Sequence, residues 1–309
     1  MWFLFALLTT LSWGAADLFY KKGADESDKY SHLKTSVIVG LVMGAHAIYT
    51  LLTQDINYDF TNIIVYLPVS LMYILSMTVG YFGLRYLELS ISSPIQNSSG
   101  AVSCILCLVV LGQAMDALSS VGVVLICAGV IALGIVEKRL QDSYVDGDDR
   151  KYKIGFVAFV MPILYCIIDA LGTFFDAYYL DDFTTTPLRN VTEETFETVA
   201  NTSYELTFLL CAIILFVFIK FIKKQSFAPK LQGNRLAAAI FETIGQFFYV
   251  YALSGNGVVA APMIASYCIV SLILSRIFLK EKLTALQYVT VIIAILGIVL
   301  LGVAEGLAG

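Results

Sequence analysis

PIQNSSGAVSCILCLVVLGQAMDALSSVGVVLICAGVIALG (residues 94–134) and PMIASYCIVSLILSRIFLKEKLTALQYVTVIIAILGIVLLG (residues 262–302) are two copies of one pattern. A shift of 168 residues aligns them without a gap and sets Pro94 on Pro262 and Gly129 on Gly297. An apolar composition produces chance matches between aliphatic residues, but it does not bring prolines and glycines into register. Further aligned positions are Leu111 with Leu279, Gln113 with Glu281, 117–118 with 285–286, and 133–134 with 301–302. The chain therefore contains an internal repeat.

A second, shorter match lies near the start of each half. A shift of 152 residues places Trp13 on Tyr165 and Asp17 on Asp169. Each half thus carries a carboxylate four residues after a large ring, inside an otherwise apolar run. This recurrence indicates that Asp17 and Asp169 hold equivalent positions in two related helix bundles.

The composition places most of the chain in lipid. Apolar residues make up 59% of the 309 residues, charged residues 14%, and the mean hydropathy is +0.82; soluble domains carry about 25% charged residues. The net charge of −5 does not suggest a nucleic-acid partner. The two histidines and six cysteines form no clustered ligand pattern, so we expect no metal site and no cofactor.

Ten stretches are long and apolar enough to cross a bilayer as helices, which need about 20 residues each. They are 1–20, 34–53, 61–84, 93–111, 117–136, 154–180, 204–222, 233–254, 259–279 and 284–306. Helix is expected because lipid offers no partners to the backbone groups of an open-ended segment. The charged linker 137–153 separates a first repeat, 1–136, from a second, 154–309.

Each repeat contains five spans, and an odd number sets the two repeats upside down relative to each other in the membrane. The predicted fold is an all-α integral membrane protein whose ten transmembrane helices form two inverted five-helix repeats. Inverted repeats are typical of secondary transporters, which bind substrate near the membrane midplane between the repeats.

Basic residues predict how the bundle is oriented in the membrane. Of the 19 lysines and arginines, all but Arg189 fall on one set of alternating connections. Loops 137–153 and 220–235 belong to this set and are predicted to be cytoplasmic in the plasma membrane, with both termini outside. The acidic connection 181–203 then faces outward, together with sequons at Asn190 and Asn201 that acquire glycans only in a eukaryotic secretory pathway.

Several segments resemble the EamA-type drug/metabolite transporter superfamily. SWG (12–14) is similar to its opening signature, and GLRYLELSISSPI (83–95) and YALSGNGVVAAPM (251–263) resemble its small-Leu to Pro segments. LKEKLTALQYVTVIIAILGIVLLG (279–302) resembles its ending, with Glu281 at the usual glutamate, where the first repeat has Gln113. The resemblance covers nearly the whole chain. It implies a ten-helix transporter of small metabolites with cytoplasmic termini, whereas the charges predict external ones.

Carboxylates inside the spans are the first candidates for a functional site, because a charge at the centre of a bilayer helix costs about 2.5–3.5 kcal/mol on insertion scales. Asp169 lies deep within its span and is predicted to face a central cavity. Asp17 has two interpretations, a cavity residue beside Trp13 or an interfacial ion pair with Lys21. Asp176, among aromatic residues, is predicted to lie at the solvated interface.

Glu242, Gln246 and Tyr249 follow helical spacing and predict a second polar stripe toward the cavity. The alternative for this stripe is a set of hydrogen bonds that hold helices together. His46, next to the GxxxG pattern of residues 40–44, is predicted to be structural.

The predicted substrate-binding residues are Trp13, Asp17, Tyr165, Asp169, Glu242, Gln246 and Tyr249. Carboxylates and rings suit a cationic or zwitterionic amine, held by charge pairing and by cation–π attraction of about 0.5–2 kcal/mol. No span centre offers arginine or lysine, which argues against phosphorylated sugars and dicarboxylates. Because burial favours the neutral form of a carboxylic acid, Asp169 or Asp17 is predicted to carry a coupling proton.

Pro94 and Pro262 begin the fourth and ninth predicted spans, either as ordinary N-terminal helix prolines or as hinges. The predicted function is secondary active transport of a small amine by alternating access, coupled to protons by antiport. A monomer is expected, with substrate and membrane lipid as its partners. The alternatives are a channel and a membrane scaffold or sensor without a central cavity. No Ser/His or HExxH arrangement in compatible spans suggests an enzyme.

Overall fold

The computed structural model describes residues 1–25, 27–84, 89–145, 155–280 and 282–308. Within these ranges the chain forms α-helices and no β-strand. The helices are α1 Trp2–Gly23, α2 Ser31–Thr53, α3 Asn62–Val65, α4 Leu67–Gly83, α5 Leu89–Asn97, α6 Ser99–Leu106, α7 Ala117–Val145, α8 Gly155–Leu180, α9 Phe196–Val217, α10 Pro229–Ala265, α11 Tyr267–Leu274 and α12 Ala285–Ala308. Three π-helical turns follow α6, α9 and α11: Cys107–Leu111, Phe218–Ile222 and Ser275–Leu279.

Eight helical segments of the described chain are long and apolar enough to cross a membrane. One of them, Pro229–Leu279, has 51 residues and bends at Asn256, whose φ of −170° and ψ of 75° are not helical. The shorter apolar helix Leu67–Gly83 coincides with the third predicted span. Dividing the long segment at Asn256 and adding the shorter helix gives the ten predicted helices.

The predicted limits of two connections are wrong. α7 continues to Val145, so the predicted linker 137–153 begins as helix; its residues 146–153 lie outside the described part of the chain, as does Glu281. α10 begins at Pro229, within the predicted loop 220–235, because proline fits the first turn of a helix, where no backbone N–H is needed.

The start of α9 was also misplaced, since Phe196 and the polar residues after it are helical rather than part of a loop. Thr202 and Ser203 donate hydrogen bonds to the carbonyls of Thr198 and Val199, each at 2.7 Å. A hydroxyl that bonds to the preceding turn is satisfied inside a helix. This is why a Thr/Ser-rich segment is helical here although its hydropathy indicates a loop.

The repeat found in the sequence recurs in the backbone at the same shift of 168 residues. α6 (Ser99–Leu106) corresponds to α11 (Tyr267–Leu274), and the π turn Cys107–Leu111 corresponds to Ser275–Leu279. The two π turns end at Gly112 and Lys280, both left-handed with φ of 68° and 60°. The helices that follow also begin at corresponding residues, so the two segments have the same local structure.

Neither proline begins a helix as predicted, since Pro94 lies inside α5 and Pro262 inside α10. The helix is interrupted four residues after each proline, at Ser98 and Ser266, with ψ of −11° and 0°. The Ser98 hydroxyl donates to the Pro94 carbonyl at 3.1 Å, and the Ser266 hydroxyl donates to the Met263 carbonyl at 2.5 Å. Side-chain bonds of this kind compete with the helical backbone bonds. Whether these breaks act as hinges stays a prediction.

The longest helix contacts join the two halves of the chain: α1 lies along α10, and α8 lies along α4. α2 packs on α9, and α7 packs on α12. His46, on α2, bonds through Nδ1 to both carboxylate oxygens of the fully buried Glu205 on α9, at 2.8 and 2.9 Å. Gly40 and Gly44 meet α9 at Phe208 and Leu209, which is consistent with a structural role for His46.

Charges are segregated to the two ends of the helix bundle. At the basic end, Lys21 Nζ donates to the Leu84 carbonyl at 2.9 Å, and Arg235 Nε donates to the Gly23 carbonyl at 3.1 Å. At the acidic end, the Met1 ammonium pairs with Glu305 at 2.8 Å, which places both termini there.

Connections 54–61, 112–116 and 181–195 meet at the acidic end, where Gln113 Nε2 donates to Asp181 Oδ1 at 2.6 Å. Hydrogen bonds from the Thr61 and Thr184 backbone N–H groups lower the pKa of Asp59 and Asp182. These exposed carboxylates are therefore ionised at neutral pH, and this end carries negative charge.

Candidate functional site

A central cavity of about 620 Å³, including the solvent space at its mouth, lies between helices of both halves. Its lining combines three carboxylates, seven rings and a few uncharged residues. The lining residues are Trp13, Asp17, Tyr20, Tyr73, Met77, Gly80, Tyr81, Leu84, Gln96, Tyr165, Asp169, Thr173, Tyr204, Glu242 and Tyr267. Among these described residues there is no lysine, arginine or histidine, so the cavity is acidic and aromatic.

Asp17 faces this cavity from α1 and is held by two serines. Ser93 Oγ and Ser271 Oγ each donate to Asp17 Oδ2 at 2.7 Å, from α5 and α11. The salt bridges between described residues include no Asp17–Lys21 pair, because Lys21 Nζ reaches the Leu84 carbonyl instead. The cavity interpretation of Asp17 therefore agrees with the structure, and the interfacial pair does not.

Asp169 faces the same cavity from α8. Ser99 Oγ donates to Asp169 Oδ2 at 2.7 Å, and Ser76 Oγ donates to Oδ1 at 3.4 Å. Asp17 and Asp169 are both half-buried, and both line the cavity. The two repeat-related carboxylates are thus positioned alike, by hydroxyl donors from neighbouring helices and without a basic partner.

Glu242, on α10, is the third carboxylate of the cavity. Tyr20 OH donates to Glu242 Oε2 at 3.2 Å, and Trp13 Nε1 donates to the Glu242 backbone carbonyl at 3.3 Å. Glu242 is close enough to Asp17 and Asp169 for the three charges to interact. A concentration of negative charge at such a site is stabilised by cations or by protons.

Trp13 and Tyr165, the aligned rings of the two halves, each lie against a glycine of the other half. A Cβ on Gly245 would be 2.4 Å from Trp13 Cδ1, and a Cβ on Gly80 would be 2.9 Å from Tyr165 Cδ2. Such distances are too short for any side chain, so only glycine allows the rings to reach these positions. Trp13 also packs on Tyr249, with ring centroids 5.0 Å apart.

Two predicted site residues lie away from the main cavity. Tyr249 lines a smaller adjoining pocket, and its hydroxyl is 2.5 Å from that of Tyr73. Gln246 is buried and lines neither pocket, and its Nε2 has no partner among the described residues. The predicted polar stripe on α10 therefore divides: Glu242 faces the cavity, whereas Gln246 lies within the packing.

Sequence reasoning missed several cavity residues. Tyr20 could have been found, because it lies seven residues after Trp13 on the same face of α1. Tyr204 and Thr173 carry no such signal, since their positions depend on packing between helices. Asp176 was misplaced at the solvated interface; it is fully buried, and Tyr66 OH donates to its Oδ1.

Comparison with known proteins supplies the remaining evidence. The model of the EamA-like transporter family matches residues 1–135 and 185–303, and it confirms the resemblance noted in the sequence. No curated protein matches the chain. A solved structure described only as a crystal structure of a protein matches 97% of this chain and 96% of its own, with a TM-score of 0.64 and 12% sequence identity. At that identity the match shows a common fold and nothing finer.

Proposed function

The chain belongs to the EamA-like transporter family of the drug/metabolite transporter superfamily, and we propose that it is a secondary transporter that moves a small cationic or zwitterionic amine by alternating access. Members of this family are transporters rather than enzymes. The apolar helices identify a multi-pass membrane protein. Substrate class, coupling and orientation are the parts of the proposal that need experiments.

The observation that carries the substrate class is the charge of the cavity lining. Asp17, Asp169 and Glu242 converge there, and the described lining has no basic side chain. A monovalent ammonium would neutralise one carboxylate and interact with the faces of neighbouring rings. An anionic substrate would add to the repulsion instead.

The lining also offers a donor for the carboxylate of a zwitterion. Gln96 is buried, lines the cavity, and its Nε2 has no partner among the described residues. Buried donors are rarely left without an acceptor in folded proteins. We therefore include amino acids and related zwitterions among the candidate substrates.

Alternating access is supported by the paired construction of the molecule. The contact of α1 with α10 has its counterpart in that of α8 with α4, and the contacts of α2 with α9 and α7 with α12 join equivalent helices. Two inverted five-helix repeats would produce this pairing, and rocking of one repeat against the other would expose a shared site to each side in turn.

Proton coupling is assigned to Asp169 and Asp17, which carry out antiport in the proposal. Each carboxylate has hydroxyl donors but no fixed counter-charge, so a proton or the substrate ammonium must supply the balancing charge. Competition between the two for one carboxylate exchanges a proton for an amine.

Two rival functions fit the structure less well. A scaffold or sensor has no need of a central cavity, yet one is present with three converging carboxylates. A channel needs a pore continuous across the membrane, whereas buried tyrosines, including Tyr66 and Tyr249, lie between the cavity and the acidic end. This arrangement favours a carrier.

We place the protein in the plasma membrane as a monomer, with the basic end and the loops 137–153 and 220–235 in the cytoplasm. The separation of basic and acidic ends supports this orientation. Both termini then lie outside.

A thermal-shift screen of amines, amino acids and nucleosides on the purified protein selects the substrate. Uptake of the selected compound into proteoliposomes under an imposed pH gradient then tests the mechanism. Asp169→Asn should abolish gradient-driven uptake and leave the unfolding temperature close to that of the parent, because asparagine keeps the shape but cannot carry the proton. Asp182→Asn, an exposed loop change at the acidic end, is the control and should transport normally. Undiminished, pH-dependent uptake by the Asp169→Asn variant would refute the proton role.

A further inference from the structure

Asp176 is a buried carboxylate that the proposed mechanism does not use. It has no exposed surface and lies one turn before the end of α8, on the side of the cavity toward the acidic end. Tyr66 OH donates to its Oδ1, whereas its Oδ2 has no partner among the described residues. A buried, half-satisfied carboxylate is costly, and such groups require a functional explanation.

Four tyrosines from three neighbouring segments surround this carboxylate. Tyr66 lies between α3 and α4, Tyr73 is on α4, Tyr204 is on α9 and Tyr249 is on α10, and all four interact with it electrostatically. All four are buried. We call Asp176 with these four residues the tyrosine station.

The other titratable groups nearby are also acidic or neutral. Asp169 and Asp181 lie on the same helix or directly after it, and Cys107 lies on the π turn that packs against it. No lysine, arginine or histidine takes part in the described hydrogen bonds or salt bridges of Asp176. The balancing positive charge therefore has to come from outside the protein.

The station is continuous with the cavity. Asp176 lies seven residues after Asp169, on the same face of α8 and about 10 Å farther along the axis at 1.5 Å per residue. Thr173 lies between them and lines the cavity, and its hydroxyl is 3.0 Å from that of Tyr73. A polar row thus runs from the cavity toward the acidic end.

We propose that the tyrosine station is a second binding site for the ammonium group of the substrate, occupied when the acidic end of the transporter opens. The proposal rests on the proposed function and adds a site to it. In the conformation described, Tyr66 takes the place of the ammonium on Asp176 and closes the path. Rings around a carboxylate provide charge pairing and cation–π attraction together, a combination that selects organic ammonium ions.

Occupation of the station exchanges a proton for the amine. The protonated carboxyl group of Asp176 loses its proton as the ammonium binds, which leaves a carboxylate–ammonium pair and one free proton. The station exists in only one repeat, since the shift of 152 residues aligns Asp176 with Ala24. This step therefore occurs on one side of the membrane and gives the transport cycle a direction.

Carbodiimide modification tests the station with two simple amines as probes. N,N′-dicyclohexylcarbodiimide modifies protonated carboxyl groups in apolar surroundings, and peptide mass spectrometry locates each modified residue. The purified, full-length protein is treated with and without choline, and in a second series with putrescine, with sodium chloride at equal ionic strength as the control. We expect modification of Asp176 that either amine, but not sodium, suppresses. Asp176→Asn should lose that modification alone, and Asp181→Asn should keep it.

Each alternative outcome is decisive. An unmodified Asp176, or one that is modified equally with both amines while Asp17 and Asp169 are protected, overturns the station and leaves the proposed function intact. Protection of none of the three residues by either amine overturns both the station and the amine substrate class.

Discussion

The seat of Trp13 on Gly245 gives the sharpest test of how the cavity is built. In a Gly245→Ala variant the new Cβ would lie 2.4 Å from Trp13 Cδ1 and 2.5 Å from Nε1. Ordinary carbon contacts lie at about 3.5 Å, so the indole must retreat by about 1 Å. The bond from Trp13 Nε1 to the Glu242 carbonyl is already 3.3 Å long and would break.

The expected energy follows from three contributions. Overpacking costs about 1–3 kcal/mol, and the lost hydrogen bond costs about 0.5–1.5 kcal/mol. The better helix propensity of alanine returns up to about 1 kcal/mol. We therefore expect a net loss of about 2 kcal/mol in the free energy of unfolding, together with weaker amine binding, because the displaced ring also lines the cavity.

The chain offers both a control and a probe for this experiment. Gly233, on the same helix, has no heavy atom within 4 Å of an added Cβ, so Gly233→Ala should leave stability unchanged or slightly raised. The protein has two tryptophans, and a Trp2→Phe background makes Trp13 the sole indole emitter. Gly245→Ala should lower the unfolding temperature and shift the Trp13 emission. If both alanine variants behaved alike in the two measurements, the close approach of indole and helix would be refuted.

Three further predictions concern other parts of the molecule. His46→Ala strands the buried carboxylate of Glu205, a loss of about 3–5 kcal/mol for one partner of a buried pair, so unfolding should occur at lower temperature and adding Glu205→Gln should restore it; an unchanged transition would show that the pair is not stabilising. Expression in eukaryotic cells should add an endoglycosidase-sensitive glycan at the exposed Asn190 and none at the buried, helical Asn201, whereas an unmodified Asn190 would argue for the reverse orientation. Tyr66→Phe removes a hydrogen bond to a charged group, about 1.5–3 kcal/mol, so a cysteine placed at residue 173 should react roughly ten- to a hundredfold faster with an impermeant thiol reagent added at the acidic end; an unaltered rate would contradict the closing role of Tyr66.

The repeat carried much of the fold, because it reports on local backbone structure. Proline, glycine and leucine positions recur at a fixed shift, and helix starts, π turns and left-handed ends recur with them. The shared placement of Asp17 and Asp169 in one cavity was predictable for the same reason. Hydropathy failed at α9, because Thr202 and Ser203 satisfy their hydroxyls within the helix and a composition scale does not register such bonds.

Other site residues were beyond the reach of sequence patterns. Asp176 lies among tyrosines that indicate a membrane interface, and only the packing of α4, α9 and α10 on α8 shows that it is buried. Gln246 and Glu242 share a helical stripe, yet the wall of the cavity passes between them. A stripe specifies a helix face, whereas the edge of a cavity depends on the neighbouring helices.

The halves of the cavity differ in charge, and this difference bears on coupling. The two glycine seats, Gly80 and Gly245, are 165 residues apart, and that shift sets Glu242 against Met77. The repeat therefore supplies two carboxylates, and the second half adds a third. One monovalent amine neutralises only one of the three charges, and no basic residue of the described lining neutralises the others. On the proposed function, the remaining carboxyl groups keep protons while the amine is bound, so exchange at a single carboxylate suffices for antiport and the other two set the affinity.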